Sequence, residues 1–198
     1  MISVTGKSWT QQKVNKNLVE KVKQDYGFGH ILSHLIISKN YDESEIFGIN
    51  NDQKLINIFK DHHDYEKASL ILLDVIKNNE NICILGDYDV DGSCATSLLV
   101  RYFNHIKQQH FFYIPDRIKD GYGASKKLFQ KLILKKPKLV IMVDCGSTSN
   151  EAVEYLNKHN IRSIIIDHHE INKPYPKSDV VINPKKDLVY NENSLLCA

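Results

Sequence analysis

The sequence has no run of roughly 18 or more apolar residues, so a membrane-spanning helix is not expected and no membrane partner is implied. The first ten residues lack the basic-then-apolar pattern of a secretory signal, which leaves the cytoplasm as the expected compartment. There is no CxxC pair: the four cysteines, Cys83, Cys94, Cys145 and Cys197, are scattered, as free thiols are in a reducing compartment, which argues against a cysteine zinc site. Charge of one sign is also scarce. The formal net charge is only +2, so a nucleic-acid partner has to be argued from local groups rather than from a long-range field. Internal repeats and low-complexity tracts are absent, and 42% hydrophobic with 25% charged residues is enough to bury a core.

What is present falls into two parts. Residues 1–64 read as a helical N-terminal appendage, with Ile31, Leu32, Leu35 and Ile36 at helical spacing and a short helix near Asp42–Phe47. Residues 65–198 read as the main domain. An amphipathic helix over Tyr65–Lys77 opens it, with Ala68, Ile71, Leu72, Val75 and Ile76 on one face. Strands then alternate with helices. Strands are expected at 82–86, 110–114, 139–143 and 161–166, with one more short apolar run at 180–182. The intervening helices carry Ala95, Leu98, Leu99, Tyr102, Phe103 and Ile106, then Leu128, Phe129, Leu132 and Ile133, then the segment 149–159. Near-continuous apolar strands separated by helices predict an α/β fold, a parallel sheet with helices on both faces. At Ser194–Ala198 the chain stops where a helix is starting, and it is read as truncated there.

The densest chemistry is Gly86-Asp87-Tyr88-Asp89-Val90-Asp91-Gly92. If the backbone stays extended, Asp87, Asp89 and Asp91 point to one side, and three carboxylates so close require cations. Asp144 follows the third strand and Asp167-His168-His169 the fourth. The carboxyl ends of parallel strands share one edge, so these groups converge. Aspartates and imidazoles without paired thiols suit Mn²⁺ or Mg²⁺, and their number suffices for two ions. Two such ions can hold an attacking hydroxide and clamp a phosphoryl oxygen. Gly92 and Ser93, opening a helix, offer backbone N–H groups to a phosphate. Arg117, in the Pro- and Gly-rich loop 115–123, is the candidate bidentate phosphate contact, with a surface ion pair as its alternative. Lys127, Lys131 and Lys135 form a row read as a solvated face. A second Asp61-His62-His63 precedes a helix and is read as a solvent-facing N-terminal segment. Cys145 is read as a packed small residue rather than a nucleophile.

The combination of GDYDVDG, Val143-Asp144-Cys145-Gly146 and Asp167-His168-His169 resembles the DHH phosphoesterase superfamily. Trp9, the helical region before residue 80, and Ile114-Pro115-Asp116-Arg117 followed by Gly121-Tyr122-Gly123 are similar, more narrowly, to the single-stranded-DNA-specific exonucleases of RecJ type. The resemblance implies a metal-dependent phosphodiesterase, a 5′→3′ exonuclease on single-stranded DNA in recombination and repair. It implies Asp89, Asp91, Asp144 and His168 as ligands of Mn²⁺ or Mg²⁺, with Asp87 a ligand or its close support. It implies His169 at the scissile phosphate and Asp167 orienting the histidines, with Asp144, His168 and His169 the catalytic set and Arg117, Tyr122, Gly92 and Ser93 contacting DNA. It also implies a further ligand Asp and further C-terminal domains beyond this sequence. Asp120 stands where the family has Glu. The alternatives are a DHH hydrolase of short oligonucleotides or cyclic dinucleotides, an inactive nucleic-acid-binding fragment, and a haloacid-dehalogenase phosphatase with Asp89 as covalent nucleophile. The last of these does not account for Asp167-His168-His169.

Overall fold

A computed structural model describes residues 5, 6, 8, 10, 12–51 and 63–186. Trp9, Asp61, His62 and residues 187–198, including the expected helix start at 194–198, lie outside the described residues. The chain divides into two compact units, Met1–Ile56 and Asn57–Ala198.

In the first unit, Asn15 caps α1 (Lys16–Tyr26) by accepting the Asn17 N–H at 2.9 Å, and Gly27 ends it in the left-handed region at φ 70°. Helix α2 (His30–Ser38) follows, then α3 (Glu43–Asn50), which starts from a capping box made by Asp42 and Glu45. Val22, Ile36 and Ile46 form a small core. Of the apolar stripe expected on α2, only Ile36 is buried; Ile31, Leu32 and Leu35 are exposed.

The second unit begins with α4 (His63–Lys77), whose first residue, His63, points to solvent. After it come β1 (Ile82–Leu85), α5 (Val90–His105), β2 (His110–Tyr113), α6 (Lys126–Leu132) with a 3-10 turn at Ile133–Lys135, β3 (Leu139–Val143), α7 (Asn150–Lys158), β4 (Arg162–Ile166) and β5 (Val180–Ile182). The five strands are all parallel, in the order β2-β1-β3-β4-β5. Successive strand residues face opposite sides, and both sides are apolar. Cys83, Leu85, Val140, Met142 and Ile165 pack beneath α6 and α7 with Leu128, Phe129, Val153 and Leu156. Ile82, Ile84, Leu139, Ile141, Val143 and Ile164 pack beneath α4 and α5 with Ala68, Ile71, Val75, Ala95 and Phe103. Helices therefore cover both faces. On α5 the contact with the sheet runs through Ala95, Leu99 and Phe103, a spacing of four, whereas Leu98 and Tyr102 lie off that line and are exposed. No helix among the described residues is long and apolar enough to cross a membrane.

The chain leaves β1 toward β2 on one side and later returns to β3 on the other, so the strand order reverses at the carboxyl ends of β1 and β3. Open parallel sheets form their ligand crevice at such a point. Two glycines let the chain turn there. A Cβ on Gly92 would lie 2.5–2.7 Å from backbone atoms of Asp87, and one on Gly86 would lie 2.0 Å from Thr96 Oγ1. The start of α5 is thereby pressed against the end of β1. Gly92→Ala has only backbone to push against, and is expected to cost about 2 kcal/mol or more. A fall of several degrees in the midpoint of thermal unfolding is the result to look for; an unchanged midpoint would show that the close approach is dispensable.

Candidate active site

The three aspartates after β1 are placed by a route other than alternation along an extended strand. The strand ends at Leu85, Asp87 lies in the turn, Asp89 is the N-cap of α5, and Asp91 is in its first turn. Asp87 is buried, and its Oδ1 accepts the Tyr88 N–H at 2.7 Å. Burial, reinforced by the neighbouring Asp89 charge, raises its pKa. Asp89 has its pKa lowered chiefly by the Gly92 N–H, which its Oδ1 accepts at 3.0 Å. The same geometry corrects one expectation. The Gly92 N–H is spent on the Asp89 side chain and the Ser93 N–H on the Asp89 carbonyl at 3.0 Å, so neither is free for a phosphate.

Asp144, the residue after β3, is the least comfortable group among those described. Its φ of +58° is left-handed for a non-glycine residue, its N–H donates to the Ile166 carbonyl at 2.9 Å, and its side chain is completely inaccessible. Among the described residues, neither carboxylate oxygen finds a hydrogen-bond donor. His168 Nε2 stands 3.1 Å from Oδ1 without forming one. Burial first, and then the contact with Asp89, push the Asp144 pKa up to about 6. A carboxyl whose pKa is higher folded than unfolded takes up a proton on folding in the interval between those values, so its contribution to stability falls as pH rises through that interval. The stability difference between Asp144→Asn and the parent, both metal-free, is therefore expected to grow in favour of the variant by about 1–3 kcal/mol between about pH 4 and 7. Chemical denaturation at a series of pH values checks this; a difference independent of pH would contradict it.

Asp167, after β4, is buried as well, but it is fully engaged. Burial alone would raise its pKa; hydrogen bonds, led by those from Ser147 and His169, outweigh it and leave the pKa lowered. Oδ2 accepts the Ser147 N–H at 2.9 Å, and Oδ1 accepts the His168 N–H at 2.8 Å, the His169 N–H at 3.2 Å and the His169 ring Nδ1 at 2.7 Å. An ionised carboxylate only accepts, so His169 Nδ1 carries the proton and the lone pair of the neutral ring is on Nε2. That Nε2 lies 3.3 Å from the Tyr122 hydroxyl. Although burial opposes it, the Asp167 hydrogen bond and nearby carboxylates raise the His169 pKa.

Two donor groups result, each with one ligand atom per residue within 4.8 Å of the others: Asp87, Asp89 and Asp144, and Asp144, His168 and His169. Asp144 belongs to both. A fully buried carboxylate with no hydrogen-bond donor among the described residues, shared by two oxygen- and imidazole-rich groups, fits a pair of hard divalent cations. Within the second group, the His169 nitrogen 3.9 Å from Asp144, Nδ1, is committed to Asp167, which leaves only Nε2 with a lone pair for a cation. Asp91 falls outside both groups but approaches His168 Nε2 to 4.0 Å.

The loop 115–123 closes one side. Asp120 fastens it, accepting from the Tyr113 hydroxyl at 2.6 Å, the Asp116 N–H at 3.2 Å and Lys131 Nζ at 3.0 Å; the Tyr113 and Lys131 contacts pull its pKa down to about 2. Within the Lys127-Lys131-Lys135 row, Lys131 is thus tied to Asp120, and Lys135 lies over the Phe111 ring at 4.7 Å. Arg117 sits with its guanidinium 4.8 Å above the Tyr88 ring and bonded to the Tyr88 hydroxyl, close enough to Asp87 to lower that group's pKa in part. Tyr122 has its hydroxyl pKa pushed up to about 12 by burial and by the surrounding carboxylates, so it remains a donor. Tyr122 and His169 edge a cleft of about 710 Å³ that runs past Ser125 and Thr148 to the start of α7. Cys145 is buried against Leu85, and burial drives its thiol pKa well up, which excludes a thiolate nucleophile.

Residues 81–194 match the model of the DHH family, N-terminal domain. The chain belongs to the DHH family. The family's three-letter signature falls on Asp167-His168-His169, whose two histidines meet Asp144 across the β3 and β4 ends. Among curated proteins the chain is similar to the single-stranded-DNA-specific exonuclease RecJ of Bacillus subtilis (strain 168), at 28% identity over 181 residues, 90% of this chain and 23% of that protein. It is similar also to that of Escherichia coli (strain K12), at 31% identity over 132 residues, 66% of this chain and 23% of that protein. Among solved structures it resembles an exonuclease RecJ bound to manganese, with 28% identity and a TM-score of 0.60 over 69% of this chain and 34% of the other. The chain thus spans about a quarter of the length of the curated relatives it matches.

Two parts of this DHH site are not evident from the sequence. Tyr88, hidden among the aspartates, holds Arg117, and the Ser147 N–H holds Asp167. An aromatic between two acids can announce a cation–π partner, but nothing local says which cation.

Proposed function

We propose that the chain carries the metal-binding catalytic part of a 5′→3′ exonuclease that hydrolyses single-stranded DNA in cytoplasmic recombination and repair. The observation that carries the reading is Asp144, an inaccessible carboxylate that accepts no hydrogen bond from the described residues and that both donor groups share. The curated relatives named as single-stranded-DNA-specific exonucleases, and the solved relative described as bound to manganese, support the substrate and the metal.

Asp87, Asp89 and Asp144 would hold one ion, and Asp144 with His168 and the nearby Asp91 the other. Mn²⁺ or Mg²⁺, when bound, supplies positive charge at the phosphoryl group and an acidified water near neutral pH. The protein's own residues do the rest. Asp167 fixes the His169 ring with its proton on Nδ1, leaving Nε2 to accept a hydrogen bond or, when protonated, to donate one to a phosphate oxygen. Tyr122, kept protonated, is the donor next to it. Arg117, preset over Tyr88, offers its guanidinium to a DNA phosphate. Asp167 acts through His169 and is a positioning residue.

The test is digestion of single-stranded DNA labelled at its 5′ end, with the same sequence as blunt duplex for comparison. Release of labelled mononucleotide from the single strand, with the duplex spared, is expected. Equal digestion of both, or degradation only from the 3′ end, would refute the assignment.

A further inference from the structure

We propose that Asn183 is a positioning residue for His169, acting through one buried side-chain amide that ties the ends of β3, β4 and β5 together. Asn183 is the residue after β5, on the same carboxyl edge as the site, and only 1% exposed. Its Nδ2 donates to Ser147 Oγ at 2.8 Å and to the His169 carbonyl at 2.9 Å, and its Oδ1 accepts the Lys185 N–H at 2.8 Å. Both amide protons and the carbonyl oxygen are therefore engaged. The two groups it donates to belong to the two segments that set the His169 ring. Ser147 gives its N–H to Asp167 Oδ2, and Asp167 Oδ1 receives His169 Nδ1. Asn183 thus grips the histidine's main chain directly and its carboxylate partner through Ser147.

The chemistry requires an amide. A leucine at 183 fills similar space but leaves Ser147 Oγ and the His169 carbonyl without their donor. An aspartate offers no proton to either and adds a buried charge near Asp167. Asn183 reaches its partners from within the fold, and its amide bonds Ser147, the His169 carbonyl and the Lys185 N–H rather than the carboxylates of the donor groups, so it acts through His169 rather than on substrate.

The inference rests on the reading of His169 as the group at the scissile phosphate, but its primary test needs no nuclease activity. Nitrogen-15 NMR of the histidine side chains in the whole metal-free chain is expected to show a protonated, slowly exchanging Nδ1 for His169. In Asn183→Leu and Asn183→Asp that proton is expected to exchange at least about tenfold faster, with the far-UV spectrum unchanged. Should Asn183→Leu not fold, Ser147→Ala, which removes one acceptor of the amide and keeps the Ser147 N–H, is expected to show the same acceleration. In the active protein, Asn183→Leu lowers kcat with KM for single-stranded DNA unchanged. A parent-like exchange rate in the folded variants overturns the proposal; accelerated exchange with an unchanged kcat in Asn183→Leu upholds the positioning and overturns the reading of His169 at the scissile phosphate.

Discussion

Asp144→Asn is expected to lower kcat on single-stranded DNA by about 1,000-fold or more, since it removes several kcal/mol of metal-dependent charge stabilisation from both ion positions at once. The side chain keeps its shape, and asparagine tolerates the left-handed φ of +58° well, so the loss is not one of folding. The same substitution should raise metal-free stability near neutral pH, because it replaces a buried anion that accepts no hydrogen bond from the described residues by a neutral amide. Loss of activity joined to a gain in stability is the signature of a group held in a costly place for its chemistry. Steady-state kinetics and thermal unfolding on one preparation measure both. An active variant, or one that is inactive because it is unstable, would contradict this account.

The second large effect separates the two histidines. His169→Ala is expected to lower kcat by about 100- to 10,000-fold, the range of a general acid or base, while leaving Mn²⁺ affinity within a few-fold of the parent. His168→Ala is expected to weaken Mn²⁺ binding itself, because its Nε2 faces both Asp144, at 3.1 Å, and Asp91, at 4.0 Å. The difference originates in Asp167, which accepts a hydrogen bond from His169 Nδ1, the nitrogen 3.9 Å from Asp144, but touches only the main chain of His168. Calorimetry with Mn²⁺ set beside kinetics on both variants checks the division. Equal loss of metal from both would assign His169 to the metal as well.

The parallel sheet was legible in the sequence because each strand carries apolar residues on both faces. The run 82–85 is buried at every position, and so is Leu139–Val143. The acidic and imidazole residues were legible because they stand immediately after such runs, and a parallel sheet brings strand ends to one edge. What was not legible depends on hydrogen-bond direction and on partners far away in sequence. The spacing of Asp87, Asp89 and Asp91 suggests one extended face, yet Asp89 turns to cap α5 and so consumes the N–H of Gly92 that a phosphate would have used. Asn183 after a three-residue strand reads as an ordinary turn residue, and its bonds to Ser147 and His169 span 36 and 14 positions. Helix α1 was concealed by its scarcity of apolar residues; its boundaries were signalled only by Asn15 and Gly27. Leu98 fits the helical period of α5 but lies on the flank of the sheet contact, since periodicity defines a stripe and not how much of it is covered.

The central claim is that Asp144 is buried without a hydrogen bond from any described residue because cations complete it. Calorimetric titration of the metal-free chain with Mn²⁺, in parallel with Asp144→Asn, addresses that directly. Saturable binding by the parent and loss of binding in the variant is the predicted result. No binding by the parent, or the same isotherm for both, would contradict it.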